Sequence, residues 1–80
     1  MKLNILAFGI ARDLLGGRNV AIELPDGAST SDLRSMLESR HPQLKDVLRY
    51  AIAVNRTYIH EDIILSEQDE VAIIPPVSGG

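Results

Sequence analysis

The chain of 80 residues contains no cysteine. This absence excludes disulfide bonds, thiolate metal sites and a cysteine nucleophile, and it fits a reducing cytosol. Apolar residues make up 45% of the sequence, but no apolar run approaches the roughly 20 residues that span a bilayer. A signal peptide is not expected, because Asn4 interrupts the short apolar stretch at the N-terminus. We therefore expect a cytoplasmic protein without a membrane partner.

Charge and size exclude further classes of protein. The formal net charge of −3 gives the chain no general attraction for nucleic acid. A chain of this length forms one small domain, which buries only about 60% of the surface that the unfolded chain exposes. The apolar content is sufficient for a folded core, but we do not expect a large enclosed active site.

Candidate ligands for metals and nucleotides are sparse. The two histidines, His41 and His60, lack the spaced companions that a metal site or a catalytic triad requires. The glycines that precede the C-terminal pair are scattered in predicted turns, and the sequence has no P-loop or dinucleotide-binding motif. We therefore expect the chain itself to bind no metal and no cofactor, ATP included.

Alternating apolar residues predict strands, because side chains of a strand point to opposite faces in turn. The first strand is apolar on both faces, since Leu6 and Phe8 follow Leu3 and Ile5. Such a strand should be central in a sheet or covered by a partner. The predicted strands cover residues 3–8, 19–24, 51–55, 57–60 and 70–74.

Helical spacing predicts two helices and one shorter turn. Residues 11–15 read as a helical turn that Gly16 ends. Ser29 and Asp32 form a capping-box pair at the start of the next helix, and Pro42 stops it. A second, shorter helical segment follows. The predicted core positions of these two helices are Leu33, Met36, Leu37, Leu44, Val47 and Leu48.

Acidic residues concentrate in a ten-residue segment, 61–70, that contains no lysine or arginine. One interpretation is a solvated loop and strand end. The other is an acidic patch that steers the protein to a basic partner. The acidic residues of this segment are Glu61, Asp62, Glu67, Asp69 and Glu70.

The sequence closes with Pro75, Pro76, Val77, Ser78, Gly79 and Gly80. The two prolines remove two backbone donors, so the last strand cannot continue through them, and they keep the chain stiff and extended. Six extended residues reach roughly 20 Å, and a glycine tip enters spaces that a side chain would not. We predict a folded domain over 1–75 and a flexible tail over 76–80.

A C-terminus without bulky side chains can enter the active site of another protein, where its carboxylate can be activated. A terminal carboxylate that attacks the α-phosphate of ATP becomes an acyl adenylate, and a sulfur nucleophile can then displace AMP to leave a thiocarboxylate. We expect this chemistry at Gly80, with Gly80 as the last residue. The alternative is a frayed terminus without a function.

The order of elements predicts an α+β fold with the helices on one face of the sheet. It is compatible with the ubiquitin-like β-grasp fold, in which the first and last strands lie side by side at the centre, although the pattern alone does not establish that pairing. Residues 69–80 resemble the closing motif of the small subunit of molybdopterin synthase. Residues 53–56 (Ala-Val-Asn-Arg) resemble that family's Ala-Val-Asn-Gln segment, and residues 6–8 followed by residues 11–16 resemble its opening strand and turn. Gln68 departs from the glycine that the family usually has before Asp-Glu-Val.

This resemblance implies a β-grasp fold with a mixed sheet, helices on one face and an extended C-terminal tail. It implies that a ubiquitin-activating-type adenylyltransferase uses ATP to adenylate Gly80, which then becomes a thiocarboxylate with sulfur from a donor protein. The chain would be a non-catalytic carrier within a heterotetramer. The large synthase subunit would supply the catalytic side chains and receive the threaded tail, which would give its sulfur to a cyclic pyranopterin.

The resemblance also implies an apolar partner interface that contains Phe8, Tyr58 and Ile74. Ordinary core packing is the alternative role of each. An exposed apolar patch at these positions would favour docking. Arg12 could support the tail or pair with an acidic partner, although a solvated surface arginine is the simpler interpretation.

Other functions remain open at this point. The chain could carry sulfur for thiazole or another thiolated product. It could be a ubiquitin-like modifier that is joined to lysines through Gly80, or an interaction domain with an inert tail. An additional residue after Gly80 should abolish carrier function and leave a docking domain intact.

Overall fold

The structure, a computed structural model, describes residues 1–47 and 50–75, with the exception of the side chains of Asp46 and Val47. The strands are β1 (Lys2–Ala7), β2 (Asn19–Glu23), β3 (Ala51–Val54), β4 (Thr57–Tyr58) and β5 (Val71–Ile74). The helices are α1 (Ile10–Leu15), α2 (Thr30–Arg40) and α3 (Pro42–Val47).

The five strands form one mixed sheet in the order β2-β1-β5-β3-β4. The pairing of β1 with β5 is parallel, and the other pairings are antiparallel. The first and last strands are therefore neighbours at the centre of the sheet, as the β-grasp fold requires. The predicted fold class is confirmed.

The core lies between the sheet and the helices. In β1, Leu3, Ile5 and Ala7 alternate with more exposed residues and are at most 1% exposed. Leu33 and Leu37 of α2 pack into the same cluster. Because the buried residues of β1 and the helices belong to one cluster, the helices cover one face of the sheet and leave the other uncovered.

Several details differ from the predicted core and strand bounds. The strands β2, β3 and β4 end one or two residues earlier than predicted, and β5 begins at Val71 instead of residue 70. Met36 is only partly buried and packs at the edge of the core. The first strand ends at Ala7 instead of Phe8, because Gly9 adopts φ +55° and turns the chain into α1. Leu44 is fully buried as predicted, whereas Leu48 and the side chain of Val47 lie outside the described part.

The predicted capping box at the start of α2 is confirmed. The backbone N–H of Ser29 donates to Asp32 Oδ2 (2.9 Å), and the backbone N–H of Asp32 donates to Ser29 Oγ (3.3 Å). These two bonds satisfy backbone donors that the first turn of a helix leaves unpaired. Residues 29–32 thereby determine where the main helix begins. The helix ends at Arg40, just before Pro42.

Candidate docking face and tail base

The face of the sheet opposite the helices carries an apolar row across four strands. Leu6 of β1 lies opposite Ala72 of β5, and Ala53 of β3 flanks Ala72 on the other side. Tyr58 of β4 lies opposite Ala53 and completes the row. Since residues directly opposite one another point to the same side of a sheet, all four side chains share one face.

A second row lies closer to the tail. Ile74 of β5 lies opposite Ala51 of β3. Phe8 directly follows β1, and its backbone N–H donates to the carbonyl of Ile73 (3.2 Å), so the β1–β5 ladder continues to this point. Phe8 therefore lies beside Ile74. We call the two rows together the outer sheet face: Leu6, Phe8, Ala51, Ala53, Tyr58, Ala72 and Ile74.

The three predicted interface residues all lie on the outer sheet face. Phe8 is 46% exposed and Tyr58 is 55% exposed, so neither is an ordinary core residue. Ile74 is half-buried. The side chains that lie between these larger residues on the outer sheet face are small alanines. The result is an apolar surface of the kind that marks interaction sites, and its role in docking remains a prediction.

The base of the tail packs against the turn between β1 and α1. Pro75 directly follows β5, and the missing Cβ of Gly9 would lie 3.1 Å from Pro75 Cγ. Glycine is therefore favoured at position 9 for two reasons, the positive φ and the close approach of the proline ring. The remaining predicted tail residues, Pro76, Val77, Ser78, Gly79 and Gly80, lie outside the described residues, and the predicted boundary at residue 75 stays a prediction.

Asp62 of the acidic segment serves as a cap for α2. Its Oδ1 accepts hydrogen bonds from Thr30 Oγ1 (2.9 Å) and from the backbone N–H of Ser31 (2.8 Å). The Ser31 N–H, followed by the Thr30 hydroxyl, holds the pKa of the Asp62 carboxyl below its ordinary value. A carboxylate at this helix start is also favoured by the helix dipole. Asp62 therefore has a local structural role.

Asp69 holds a second turn together. Its carboxylate accepts hydrogen bonds from the backbone N–H of Ser66 (2.8 Å) and from Asn55 Nδ2 (3.0 Å). The Ser66 N–H, followed by the Asn55 amide, lowers the pKa of the Asp69 carboxyl. Glu70 pairs with Arg56 at 3.7 Å. These local partners favour the solvated loop over a dedicated acidic patch.

A buried tyrosine that sequence reasoning missed links α2 to β3. The hydroxyl of Tyr50 donates to Glu38 Oε2 (2.6 Å), and the guanidinium of Arg34 lies 4.6 Å from the centre of its ring. Burial, and then the hydrogen bond to Glu38, raise the pKa of the Tyr50 hydroxyl well above its ordinary value. A possible signal was the four-residue spacing of Arg34 and Glu38, which places both on one side of α2.

Neither metal clusters nor membrane spans are found in the described ranges. Within residues 1–47 and 50–75, no three side chains of the histidine, aspartate and glutamate types are grouped so that they could hold a metal ion. In the same ranges, no helix has the length and apolarity that crossing a bilayer requires. His41 caps the C-terminal end of α2, and His60 is exposed.

Comparison with known proteins places this geometry in a family. The model of the ThiS family matches residues 5–80. The molybdopterin synthase sulfur carrier subunit of Chlamydomonas reinhardtii is 39% identical, and the alignment covers all of both chains. A solved structure from Pyrococcus furiosus, provisionally described as molybdopterin converting factor subunit 1, is 32% identical, with a TM-score of 0.86 over 96% of this chain and 99% of its own.

A further solved structure contains a partner. It is a complex of subunits 1 and 2 of the molybdopterin-converting factor of Helicobacter pylori, with 29% identity, a TM-score of 0.68 and full coverage of both chains. The family model and the first relative each match nearly the whole length of the sequence. The chain therefore belongs to the ThiS family, within which it is related to the molybdopterin synthase sulfur carrier subunits.

Proposed function

We propose that the chain is the sulfur carrier subunit of a molybdopterin synthase and that its reacting group is the carboxylate of Gly80. Sulfur would travel on this carboxylate as a thiocarboxylate and would be donated to a cyclic pyranopterin. Two such donations would build the dithiolene that later holds molybdenum. The chain binds no cofactor in this proposal, and ATP belongs to the activating partner.

Sulfur would be loaded onto the carboxylate of Gly80 in two steps. In the first, a carboxylate oxygen of Gly80 forms a bond to the α-phosphorus of ATP, pyrophosphate leaves, and an acyl adenylate results. In the second, a sulfur nucleophile equivalent to hydrosulfide attacks the acyl carbon, the bond to AMP breaks, and the thiocarboxylate remains. In the donation, the thiocarboxylate sulfur forms a bond to a carbon of the acceptor to give a thioester. Water then attacks the acyl carbon and breaks its bond to sulfur, so the sulfur stays on the acceptor and Gly80 returns to a carboxylate.

The observation that carries the proposal is the position of the outer sheet face next to Pro75. Parallel pairing of β1 with β5 brings Phe8 beside Ile74, and Ile74 directly precedes Pro75. A partner that binds this face would hold the start of the tail at its surface. The glycine tip could then reach a reacting centre up to roughly 20 Å away.

Three partners follow from this chemistry. An adenylyltransferase of the ubiquitin-activating type would activate Gly80, and a sulfur donor protein would supply the sulfur. The large synthase subunit would bind the outer sheet face and provide the catalytic side chains in a heterotetramer. The Helicobacter pylori relative was solved as a complex of subunits 1 and 2, which supports the last partner. A cytoplasmic location is part of the proposal.

A single-turnover reaction tests the final acceptor. Chain that carries a thiocarboxylate at Gly80 is mixed with the large subunit and cyclic pyranopterin, without ATP or a sulfur source. The proposal predicts a dithiolene product and the return of the carboxylate form. The matched control is the chain extended by one alanine after Gly80, which should still bind the large subunit and yield no product. Thiocarboxylate that survives unchanged, or Gly80 found in amide linkage to lysine, would contradict the proposal.

A further inference from the structure

We propose that Ile10 extends the docking surface from the outer sheet face around the base of the tail, where it contacts the large synthase subunit. This inference rests on the proposed function. It adds a contact on the helix side of the tail, whereas Phe8, Tyr58 and Ile74 all lie on the sheet side.

The backbone around Ile10 is tied to the tail base on both sides of Gly9. The N–H of Phe8 donates to the carbonyl of Ile73 (3.2 Å), and Gly9 packs against the ring of Pro75. The N–H groups of Ala11 and Arg12 donate to the carbonyls of Phe8 and Gly9 (3.1 Å each), which closes the turn into α1. Ile10 is therefore held in a defined place beside the residue from which the tail departs.

The fold itself does not require an apolar side chain at this position. Ile10 is 44% exposed, while Ala11 and Leu15 supply the buried side of α1. The first turn of a helix favours acidic and polar residues, and a β-branched residue has no advantage there. Exposed isoleucine at the start of α1 thus contributes little to stability, and its exposure leaves it free to contact a partner.

The surface that would cover Ile10 must receive the tail. A partner that draws the chain beyond Pro75 into a channel has to surround Pro75, and so meets Phe8 on one side and Ile10 on the other. Phe8 belongs to the outer sheet face, and Ile10, on the other side of Gly9 in the chain, adds a second exposed apolar side chain. Arg12, exposed one position beyond Ala11, supplies a charged rim. An apolar centre with a polar rim is typical of protein interfaces. We therefore expect the large subunit to present apolar side chains around the opening of the channel that receives the tail.

The chain offers a matched control in Ile64. This residue is 67% exposed, more than Ile10. It bridges to Ser29, and the neighbouring N–H of Leu65 donates to Ala28. Residues 64–65 thus pair with residues 28–29, which follow closely after Leu24. The N–H of Leu24 donates to the carbonyl of Met1, so this segment lies near the start of β1. The tail base lies at the other end of β1, about 20 Å away for a strand of six residues.

The test measures affinity of the full chain for its large synthase subunit by calorimetry, with wild type, Ile10→Asp, Ile10→Leu, Ile64→Asp and Phe8→Asp. Thermal melts first establish that each variant is folded. We expect Ile10→Asp to weaken binding by about tenfold or more and Ile64→Asp to leave it within about twofold. Ile10→Leu should stay within about threefold of wild type, because it keeps the apolar contact.

The variants separate this inference from the proposed function. If Phe8→Asp weakens binding and Ile10→Asp does not, the outer sheet face docks the partner and the extension to Ile10 is wrong. If Ile10→Asp and Ile64→Asp weaken binding equally, the loss is a general effect of charge and the inference is also overturned. If wild type does not bind the large subunit, the proposed function fails, and the inference fails with it.

Discussion

The Cβ that Gly9 lacks would lie 3.1 Å from Cγ of Pro75. This contact joins the turn after the first strand to the residue that follows the last strand. It depends on a backbone with φ +55°, which residues with a side chain adopt only at a cost. The base of the tail therefore lies against a residue far away in sequence.

Replacement of Gly9 by alanine should destabilise the protein through both effects, the positive φ and the contact with Pro75. Gly27→Ala is the comparison, since Gly27 also has a positive φ (+86°) but nothing within 4 Å of its missing Cβ. We expect a loss of about 1–2 kcal/mol in the free energy of unfolding for Gly27→Ala and a larger loss for Gly9→Ala. Urea denaturation measures both, and equal losses would mean that the Pro75 contact is unimportant.

Asn55 should contribute more to stability than an exposed turn residue usually does. It donates to Asp69 Oδ1 (3.0 Å), accepts from the N–H of Glu70 (2.9 Å) and occupies φ 53°. We expect Asn55→Ala to lower the free energy of unfolding by about 2 kcal/mol, because two hydrogen bonds and a favourable left-handed residue are lost. Asn55→Asp keeps an oxygen that accepts from the backbone N–H of Glu70, but it places a second carboxylate beside that of Asp69.

The loss caused by Asn55→Asp should therefore shrink as the pH falls, because protonation of either carboxyl removes the repulsion with Asp69. Chemical denaturation of both variants at neutral and at acidic pH provides the comparison. A loss for Asn55→Asp that is independent of pH would argue against the contact between Asn55 and Asp69.

The hydroxyl of Tyr50 should stabilise the junction between α2 and β3. Tyr50→Phe removes its 2.6 Å hydrogen bond to Glu38 and keeps the ring beneath Arg34. We expect a loss of about 1–2 kcal/mol in the free energy of unfolding. Tyr58→Phe is the control, because Tyr58 is 55% exposed and should show almost no loss. Similar losses for the two variants would contradict the role given to the buried hydroxyl.

Two carboxylates should make the stability of the fold sensitive to acid. Backbone N–H groups lower the folded-state pKa values of Asp62 and Asp69. Their contribution is therefore fully present above the unfolded pKa of about 3.9 and is lost as the pH falls through the lower folded values. Melting temperatures from neutral pH down to about pH 3 should fall less steeply in Asp62→Asn and Asp69→Asn than in wild type. Unchanged slopes would refute the assignment.

Local structure could be predicted from the sequence because it follows from nearby residues. The alternation in β1 and the Ser29–Asp32 capping box depend on neighbours within a few positions, and both are confirmed. The parallel pairing of β1 with β5 is different, because apolar alternation does not specify which strands pair. That pairing was expected only as a feature of the β-grasp fold.

The site could be predicted only in part. An apolar residue on a strand whose other face is already apolar is equally compatible with core packing and with docking, so the exposure of Phe8 and Tyr58 required the structure. Contacts between distant residues were also missed. Asn55 meets Asp69 fourteen positions away, and Gly9 meets Pro75 from the other end of the chain, although each residue alone looks like an ordinary turn residue.

Intact-protein mass spectrometry shows whether Gly80 carries sulfur. The chain is incubated with ATP, an adenylyltransferase of the ubiquitin-activating type and a sulfur source, and its mass is compared with that of the untreated protein. We expect a mass gain that corresponds to exchange of one oxygen for one sulfur, located at Gly80 by fragmentation and absent without ATP. No gain with several competent activating enzymes, or a gain located at another residue, would show that Gly80 is not the sulfur-carrying group.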